Sequence, residues 1–454
     1  MANVLEKICA DKREEVAAQK LAMPLASFVD GLTPSDRSLF ASLSKPQKGF
    51  ILECKKASPS KGLIRAEFNL DEIIDAYLPY ASGISVLTDK KYFQGDHEYL
   101  KYVRANVTQP CLCKDFFVDE YQVHLARYYD ADAILLMLSV LNDEEYTKLA
   151  ALAESYKLDI LTEVSNEEEL ARAIKLNAKI VGINNRNLRD LSTDLQTTRD
   201  LAPKIPADRI IISESGIYTH DHVSELSNYA KGFLVGSSLM AQDNLKQAVH
   251  KLVVGENKVC GLTRAEDAIA AKQAGAVYGG LIFAEKSPRC VDIEKAKQVI
   301  AAAELDYVGV FVNAPVLKVA DTCKELGLKA IQLHGEEEQE YIDKLRPKLP
   351  EDVQIWKAHN PTISPLPQLT KIDRWLIDSG TKAQPGGTGK SIDWQILSQI
   401  NFEIPFMLAG GISEENAKLA AKQGALGLDI NSGAEDAPGI KNPAKLTAIF
   451  NELR

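Results

Sequence analysis

Short runs of aliphatic and β-branched residues recur along this 454-residue chain, most of them followed by a polar loop and a charged helical stretch, and no other feature restricts the fold as much. In the first half the runs are Gly49–Cys54, Ile84–Leu87, Pro110–Lys114, Ala131–Met137, Leu158–Val164, Lys179–Asn184, Arg209–Ser213 and Lys231–Val235. Segments of helical period, such as Asn166–Lys175 (NEEELARAIK), lie between most of them. Short strands alternating with helices make a parallel sheet, because each crossover returns the chain to run in the same direction. Eight such units in about 250 residues are what a closed (β/α)8 barrel requires.

The second half repeats the pattern with Asn257–Cys260, Val277–Phe283, Tyr307–Val312, Leu328–Leu333, Val353–Lys357, Arg374–Asp378, Pro405–Ala409 and Ala425–Ile430. Between the fifth and sixth of these, Pro361, Pro365 and Pro367 each lack an amide hydrogen and clash with a preceding helical turn, so this crossover is expected to be an irregular loop. The halves join near Leu252–Lys258 (LVVGENK), which leaves no room for a long linker. The expected architecture is α/β, with two tandem (β/α)8 barrels at residues 1–255 and 256–454. The first carries an N-terminal helical extension, Val4–Lys20, placed beside a barrel mouth.

Composition serves mainly to exclude. With 45% apolar and 26% charged residues, the chain has a globular balance rather than a disordered, collagen-like or coiled-coil one. Lys+Arg of 53 against Asp+Glu of 63 gives 53 − 63 = −10, and no basic run occurs, so nucleic acid is not an expected partner. No uncharged apolar stretch of about 18 residues is present to span a membrane. Met1–Lys20, with Glu6, Asp11, Glu14 and Glu15, is too acidic for a signal or transit peptide, and a cytoplasmic location is expected. The cysteines (Cys9, Cys54, Cys111, Cys113, Cys260, Cys290 and Cys323) are odd in number and scattered, which argues for reduced thiols. Cys111-x-Cys113 is tighter than the usual zinc-ligand spacing, and no metal site is expected.

In a (β/α)8 barrel the chemistry lies at the carboxyl ends of the strands, so ionisable residues there are informative. The first run leads into Glu53, Lys55, Lys56 and Ser58; the third ends at Lys114 and the fifth at Glu163; the sixth runs into Asn184 and Arg186, and the seventh into Glu214, Ser215 and Gly216. Burying a charge costs several kcal/mol unless it is paired or used. Any one of these, Glu53 for instance, has a structural ion pair as an equally good explanation; the set on one rim is harder to explain by packing. Small-residue loops follow runs seven and eight, at Ser215–Gly216 and Gly236–Ser237. Each alone could be a tight turn that needs glycine, but together they match the phosphate site of barrels.

In the second half, the first run ends at Cys260 and the sixth at Asp378. A lone strand cysteine is usually a small apolar core residue. A thiol and a carboxyl group on the same rim, however, form a base and acid pair of unequal proton affinity, as enolisation needs. Arg289 could fork a carboxylate, and His334 ends the fourth run, where it is either a satisfied core histidine or a substrate contact. The segment from Gly386 to Ser391 suggests a nucleotide P-loop, but that spacing needs glycine where Gln384 stands, which excludes ATP. Gly387 and Gly389, with Gly410–Gly411 and Ser432–Gly433 after runs seven and eight, instead outline a second phosphate cradle.

The first half resembles indole-3-glycerol phosphate synthase through ILECKKASPSKG (Ile51–Gly62), CKDF (Cys113–Phe116), LTEV (Leu161–Val164), GINNRNL (from Gly182), SESGI (Ser213–Ile217) and VGSSLM (Val235–Met240). That resemblance implies Lys114 as general acid at the ketose carbonyl oxygen and Glu163 as support for the cationic intermediate and proton transfers. It implies Glu53 as a base in dehydration and Lys55 as holder of the substrate carboxylate and an alternative proton donor, with the division of acid and base duties among Lys55, Lys114, Glu53 and Glu163 left open. Ser58, Asn184, Arg186 and Ser215 become substrate contacts, and Phe93 a wall for the aromatic ring. A lysine acting as acid near neutral pH would gain from a lowered pKa, which desolvation or cationic neighbours can supply.

The second half resembles phosphoribosylanthranilate isomerase through KVCGLTR, EKSPR, QLHGE, LIDSG, GGTGK, LAGGI and DINSG. There the resemblance implies Asp378 as the acid that opens the furanose ring, Cys260 as the base at C2 and Arg289 as the grip on the anthranilate carboxylate. The product of that isomerisation is the substrate of the first reaction, so the resemblances support each other. Small-molecule phosphorylated anthranilate-sugar substrates are implied, with no metal or organic cofactor and no obligatory protein partner. One rival keeps a single live barrel and gives the other a structural or sugar-isomerase role. A phosphate-binding scaffold without chemistry would need only the cradles and an aromatic pocket, and the acid and base residues beside both cradles argue against it.

Overall fold

The computed structural model describes residues 4–187, 191–378 and 394–453. The chain divides into two compact units, residues 1–249 and 250–454. Each contains a closed barrel of eight parallel strands. The first barrel is built from Gly49–Cys54, Gly83–Leu87, Cys111–Lys114, Ala133–Met137, Asp159–Val164, Ile180–Asn184, Ile210–Glu214 and Gly232–Val235, which form strands one to eight. Strand one pairs with both two and eight, closing the cylinder. These match the expected runs to within two residues at either end.

The interior is filled by inward side chains, among them Ile51, Leu112, Leu135, Leu161, Ile180, Ile212 and Leu234. Its amino-terminal end is plugged from the extension by the short helix Leu39–Leu43, in which Leu39 and Leu43 are fully buried. Ser38 starts that helix by accepting a hydrogen bond from the Ala41 amide. At the other end the long helix Val4–Ala22 places Val4, Leu5 and Ile8 over the barrel mouth. It is fastened there by Lys12, whose buried ammonium lies 2.7 Å from Asp89 and 2.9 Å from Asp115.

The second barrel runs through Lys258–Val259, Tyr278–Ile282, Asp306–Phe311, Ala330–Leu333, Gln354–His359, Arg374–Ile377, Phe406–Leu408 and Gly427–Ile430, strands nine to sixteen, with strand nine joined to both ten and sixteen. Val308, Ala330, Trp356, Leu376 and Met407 fill its lower interior. No helix lies between His359 and Arg374, so the proline-bearing crossover is a loop, as expected. Strand nine is shorter than its run of residues suggested and stops before Cys260, and strand fourteen stops before Asp378. Both residues stand just past their strands, yet each backbone N–H still bonds across to the neighbour, Cys260 to the Ile430 carbonyl at 2.8 Å and Asp378 to that of His359 at 3.1 Å.

Candidate active sites

All twelve first-half candidates line one cavity at the carboxyl end of the first barrel: Glu53, Lys55, Ser58, Phe93, Lys114, Glu163, Asn184, Arg186, Ser215, Gly216, Gly236 and Ser237. The cavity gathers residues from strands one, three, five and six and from the loops after one, two, six, seven and eight. At its floor lies a group of opposed charges. Lys114 reaches Glu214 at 3.1 Å and Glu53 at 3.4 Å, and Glu53 also pairs with Lys55. Asn184 donates through Nδ2 to Glu163 Oε1 at 3.1 Å. Two glycines make room for these carboxylates. A Cβ at position 236 would sit 2.2 Å from Glu53 Oε2, and one at position 182 would sit 2.0 Å from Glu214 Oε1.

The charges separate the proton affinities of groups that are alike in chemistry. Burial raises the Glu163 carboxyl, and Glu214 raises it further against the pull of Lys114, to about 7. Burial also acts to raise Glu53, yet Lys55 and Lys114 outweigh it and hold this carboxyl below its ordinary range. The lysines split the other way. Burial, Lys114 and Arg186 lower Lys55, whereas at Lys114 burial is overcome by Glu214, Glu53 and Glu163 and the ammonium is held more firmly than usual. The depressed lysine expected of a general acid is thus Lys55 and not Lys114, because three carboxylates surround Lys114.

Phe93 lies 6.1 Å from Phe116, ring centre to ring centre, and Lys55 Nζ sits 5.8 Å over the Phe93 ring. Arg186 leans across the mouth and donates to Ser60 Oγ at 2.6 Å. At the phosphate candidates, Ser215 and Gly216 both adopt left-handed backbone, with φ of 66° and 78°. Asn185 Nδ2 donates to the Ser215 carbonyl at 3.0 Å, and Ser238 Oγ donates to the Ile217 carbonyl at 2.7 Å, so the loops after strands seven and eight are tied together. Sequence reasoning placed Glu214 on the rim but gave it no part; in the fold it touches Lys114 and sets Glu163. Its position as the last residue of a strand was the available signal. Phe116, two residues after Lys114, was likewise passed over.

In the second barrel, Cys260 is buried beside Lys258, both side chains crowding the space in front of Gly280. Lys258, fully buried one layer deeper on the same strand, lies 2.8 Å from Asp429 and donates to Gln332 Oε1 at 2.9 Å. Gln332 Nε2 meets His334 Nδ1 at 3.0 Å, and His334 Nε2 meets Asp378 Oδ2 at 3.3 Å. One polar chain therefore runs from Lys258, beside Cys260, through Gln332 and His334 to Asp378, reaching from strand nine to the loops after strands twelve and fourteen. Burial and Asp429 raise the Cys260 thiol above its ordinary value, against a partial downward pull from Lys258 and Lys441. Arg289 is engaged by Glu435 with Nε at 2.9 Å and Nη2 at 2.6 Å, a forked pair, and Lys441 holds the same carboxylate at 2.8 Å. Gly410 and Gly411 have φ of 93° and 62°, and Ser432–Gly433 opens a single turn after strand sixteen. Gly387 and Gly389 lie outside the described residues. Lys258, Gln332 and Asp429 were not expected from sequence, where each falls inside a strand run.

Two closed barrels, each with ionisable groups converging on its carboxyl end, define a chain carrying two enzyme sites of the (β/α)8 class. Comparison with known families gives the class its members. Residues 5–252 match the model of indole-3-glycerol phosphate synthase, and residues 257–452 that of N-(5'-phosphoribosyl)anthranilate isomerase. The tryptophan biosynthesis protein TrpCF of Vibrio cholerae is 58% identical over 100% of this chain and 96% of its own length. Those of Yersinia pestis and Salmonella typhi are 54% and 52% identical, over 99% and 100% of this chain and 94% and 100% of theirs. The chain belongs to the fused indole-3-glycerol phosphate synthase–phosphoribosylanthranilate isomerase family of tryptophan biosynthesis. Its C-terminal half isomerises N-(5-phosphoribosyl)anthranilate to 1-(2-carboxyphenylamino)-1-deoxyribulose 5-phosphate, an Amadori rearrangement, and its N-terminal half turns this into indole-3-glycerol phosphate by ring closure, decarboxylation and dehydration.

Proposed function

We propose that the two reactions are carried by the side chains already described, each half working on its own. In the isomerase half, Asp378 protonates the furanose ring oxygen and opens the aminoaldose to a Schiff base. Cys260 then removes the C2 proton, the C–H electrons move toward the iminium nitrogen, and the resulting enolamine becomes the ketone. His334 orients Asp378. Arg289 takes the anthranilate carboxylate, for which Glu435 is the internal stand-in in the free protein. The phosphate is held by Gly387, Gly389, Gly410, Gly411, Ser432 and Gly433.

In the synthase half, the phosphate rests on the tied loops carrying Ser215, Gly216, Gly236 and Ser237. The anthranilate ring lies against Phe93, with Ser58, Asn184 and Arg186 as further contacts. Lys114, kept charged by three carboxylates, donates to the ketose carbonyl oxygen and gives up its proton as that oxygen becomes an alkoxide, which is more basic still. Lys55 holds the carboxylate that is later lost. Glu163, titrating at about 7, moves protons near neutral pH, while Glu53 stays ionised as base in the dehydration. The substrate's own nitrogen serves as electron reservoir, so the scheme calls on no cofactor.

The observation that carries this reading is the split between Glu53 and Glu163, two carboxyls on one cavity floor driven in opposite directions. We further propose 255/256 as the boundary between functional halves, small phosphorylated anthranilate-sugars as the only obligatory partners, and the cytoplasm as the location. The last is supported by seven free thiols and by the lack, among the described residues, of a helix long and apolar enough to cross a membrane. The test uses the whole chain: Lys114→Ala should remove indole-ring formation and spare isomerisation, and Cys260→Ala should do the reverse. Either substitution abolishing both activities would refute the assignment.

A further inference from the structure

Lys258 is an unusual residue to find inside a barrel. Its side chain is fully buried, and its ammonium sits among the Asp429 carboxylate at 2.8 Å, the Gln332 amide oxygen at 2.9 Å and the Cys260 sulfur. A buried lysine costs several kcal/mol unless its neighbours repay it, and one carboxylate would have sufficed for neutrality. The space is also reserved for it. Gly280, on the adjacent strand, could not carry a Cβ, which would fall 2.7 Å from Cys260 Sγ and 2.9 Å from Lys258 Cε. Asp429, in turn, has one oxygen, Oδ1, buried without a hydrogen-bond partner among the described residues.

The donors and acceptors along the chain admit one direction. An ammonium only donates, so Gln332 must present its oxygen to Lys258 and its NH2 to His334 Nδ1. A neutral His334 then accepts at Nδ1 and carries its hydrogen on Nε2, which faces Asp378 Oδ2 at 3.3 Å. If Lys258 were apolar, the Gln332 amide could turn over and the tautomer would be free to change.

We propose that Lys258 is a positioning residue for the isomerase: its ammonium, packed beside the Cys260 sulfur, offsets the cost of forming the thiolate that acts as base and, through Gln332, fixes His334 in the tautomer that donates to Asp378. This rests on the assignment of Cys260 and Asp378 as base and acid. Around the sulfur, Lys258 on its own strand, Lys441 on the segment Ile440–Lys441 and Arg289 after strand ten are cationic, and Asp429 on strand sixteen is anionic. Arg289 and Lys441 share a single carboxylate, that of Glu435. Of these cations, Lys258 acts on the sulfur most strongly.

The test reads the thiol directly. The pH dependence of iodoacetamide alkylation is followed at Cys260 by peptide mass spectrometry, which separates it from the half-buried Cys290. Lys258→Met should slow alkylation of Cys260 at neutral pH about tenfold, the equivalent of one unit upward. Asp429→Asn should speed it by a similar factor, and the double variant should return near the parent. Lys258→Arg should keep the profile closer to the parent than Lys258→Met does. An unmoved profile in a folded Lys258→Met protein, or a shift of the same sign from Lys258→Met and Asp429→Asn, overturns the inference. If Lys258→Met fails to fold, Asp429→Asn decides: faster alkylation supports the inference, and an unchanged or slower rate overturns it. Isomerase assays on Cys260→Ala judge the underlying assignment separately. Retained activity there would remove Cys260 as base without touching the thiol measurement.

Discussion

The two barrels set proton affinities by different means on the same scaffold. In the first, five ionisable groups, Glu53, Lys55, Lys114, Glu163 and Glu214, crowd one cavity floor and tune one another by Coulomb interaction. In the second, charge is kept one layer down, and a single-file polar chain passes its influence from Lys258 to Asp378 at one end and Cys260 at the other. A reaction with ring closure, decarboxylation and dehydration has several proton transfers to manage and uses several mutually shifted groups. An isomerisation needs one acid and one base, and two poised residues suffice.

The contrast can be broken in steps, starting with the largest effect. Glu163→Gln should lower indole-ring formation by about 10²-fold and leave isomerisation unchanged. In the parent, the pH profile of ring formation should bend near 7, and that bend should vanish in the variant. Next, Gly236→Ala places a methyl group where Glu53 Oε2 lies, 2.2 Å away. Displacing Glu53 from Lys55 and Lys114 should cost ring formation about tenfold, of the order seen for misplaced catalytic groups, with kcat falling more than KM rises. The same insertion has no counterpart in the isomerase assay.

A smaller effect concerns stability and follows from the sign of the Glu163 shift. Its carboxyl binds a proton more tightly folded, at about 7, than in an unfolded chain, near 4.5. Folding therefore takes up a proton between those values, and stability attributable to this group falls as pH rises from about 4.5 to 7. Glu163→Gln should raise the unfolding free energy of the first barrel by about 3 kcal/mol above pH 7 and by nothing near pH 4. Denaturant titrations at the two pH values measure it, and an equal change at both would show that the effect does not come from ionising Glu163. The smallest effect is inhibition by inorganic phosphate, which should be competitive against both substrates. Competition at one site alone would remove the other cradle.

Much of the first barrel was legible because its strand ends carry charged residues in long runs of distinctive sequence, so Lys114 and Glu163 stand out once the strands are counted. Glu214 was visible yet unassigned, since its role comes from a contact 100 positions away with Lys114. Lys258, Gln332 and Asp429 were hidden for a different reason. They occupy inward positions in strands nine, twelve and sixteen, where sequence pattern expects apolar filling; Gln332 and Asp429 are each flanked by aliphatic residues, and Lys258 follows Glu256 and Asn257 as if it belonged to the polar junction. Only barrel closure brings strands nine and sixteen side by side and makes a pair of Lys258 and Asp429. The proline-rich crossover shows the converse case: Pro361, Pro365 and Pro367 act locally, so the missing helix could be read without any knowledge of the fold.

The central claim is that each half closes over an active site sufficient for its own reaction, and trans-complementation tests it most directly. Lys114→Ala and Cys260→Ala full-length proteins are each supplied with N-(5-phosphoribosyl)anthranilate and then mixed in equal amounts. Neither alone should form indole-3-glycerol phosphate, and the mixture should form it after a lag while intermediate accumulates in solution. A mixture that stays inactive, with both proteins folded, would contradict two self-sufficient sites.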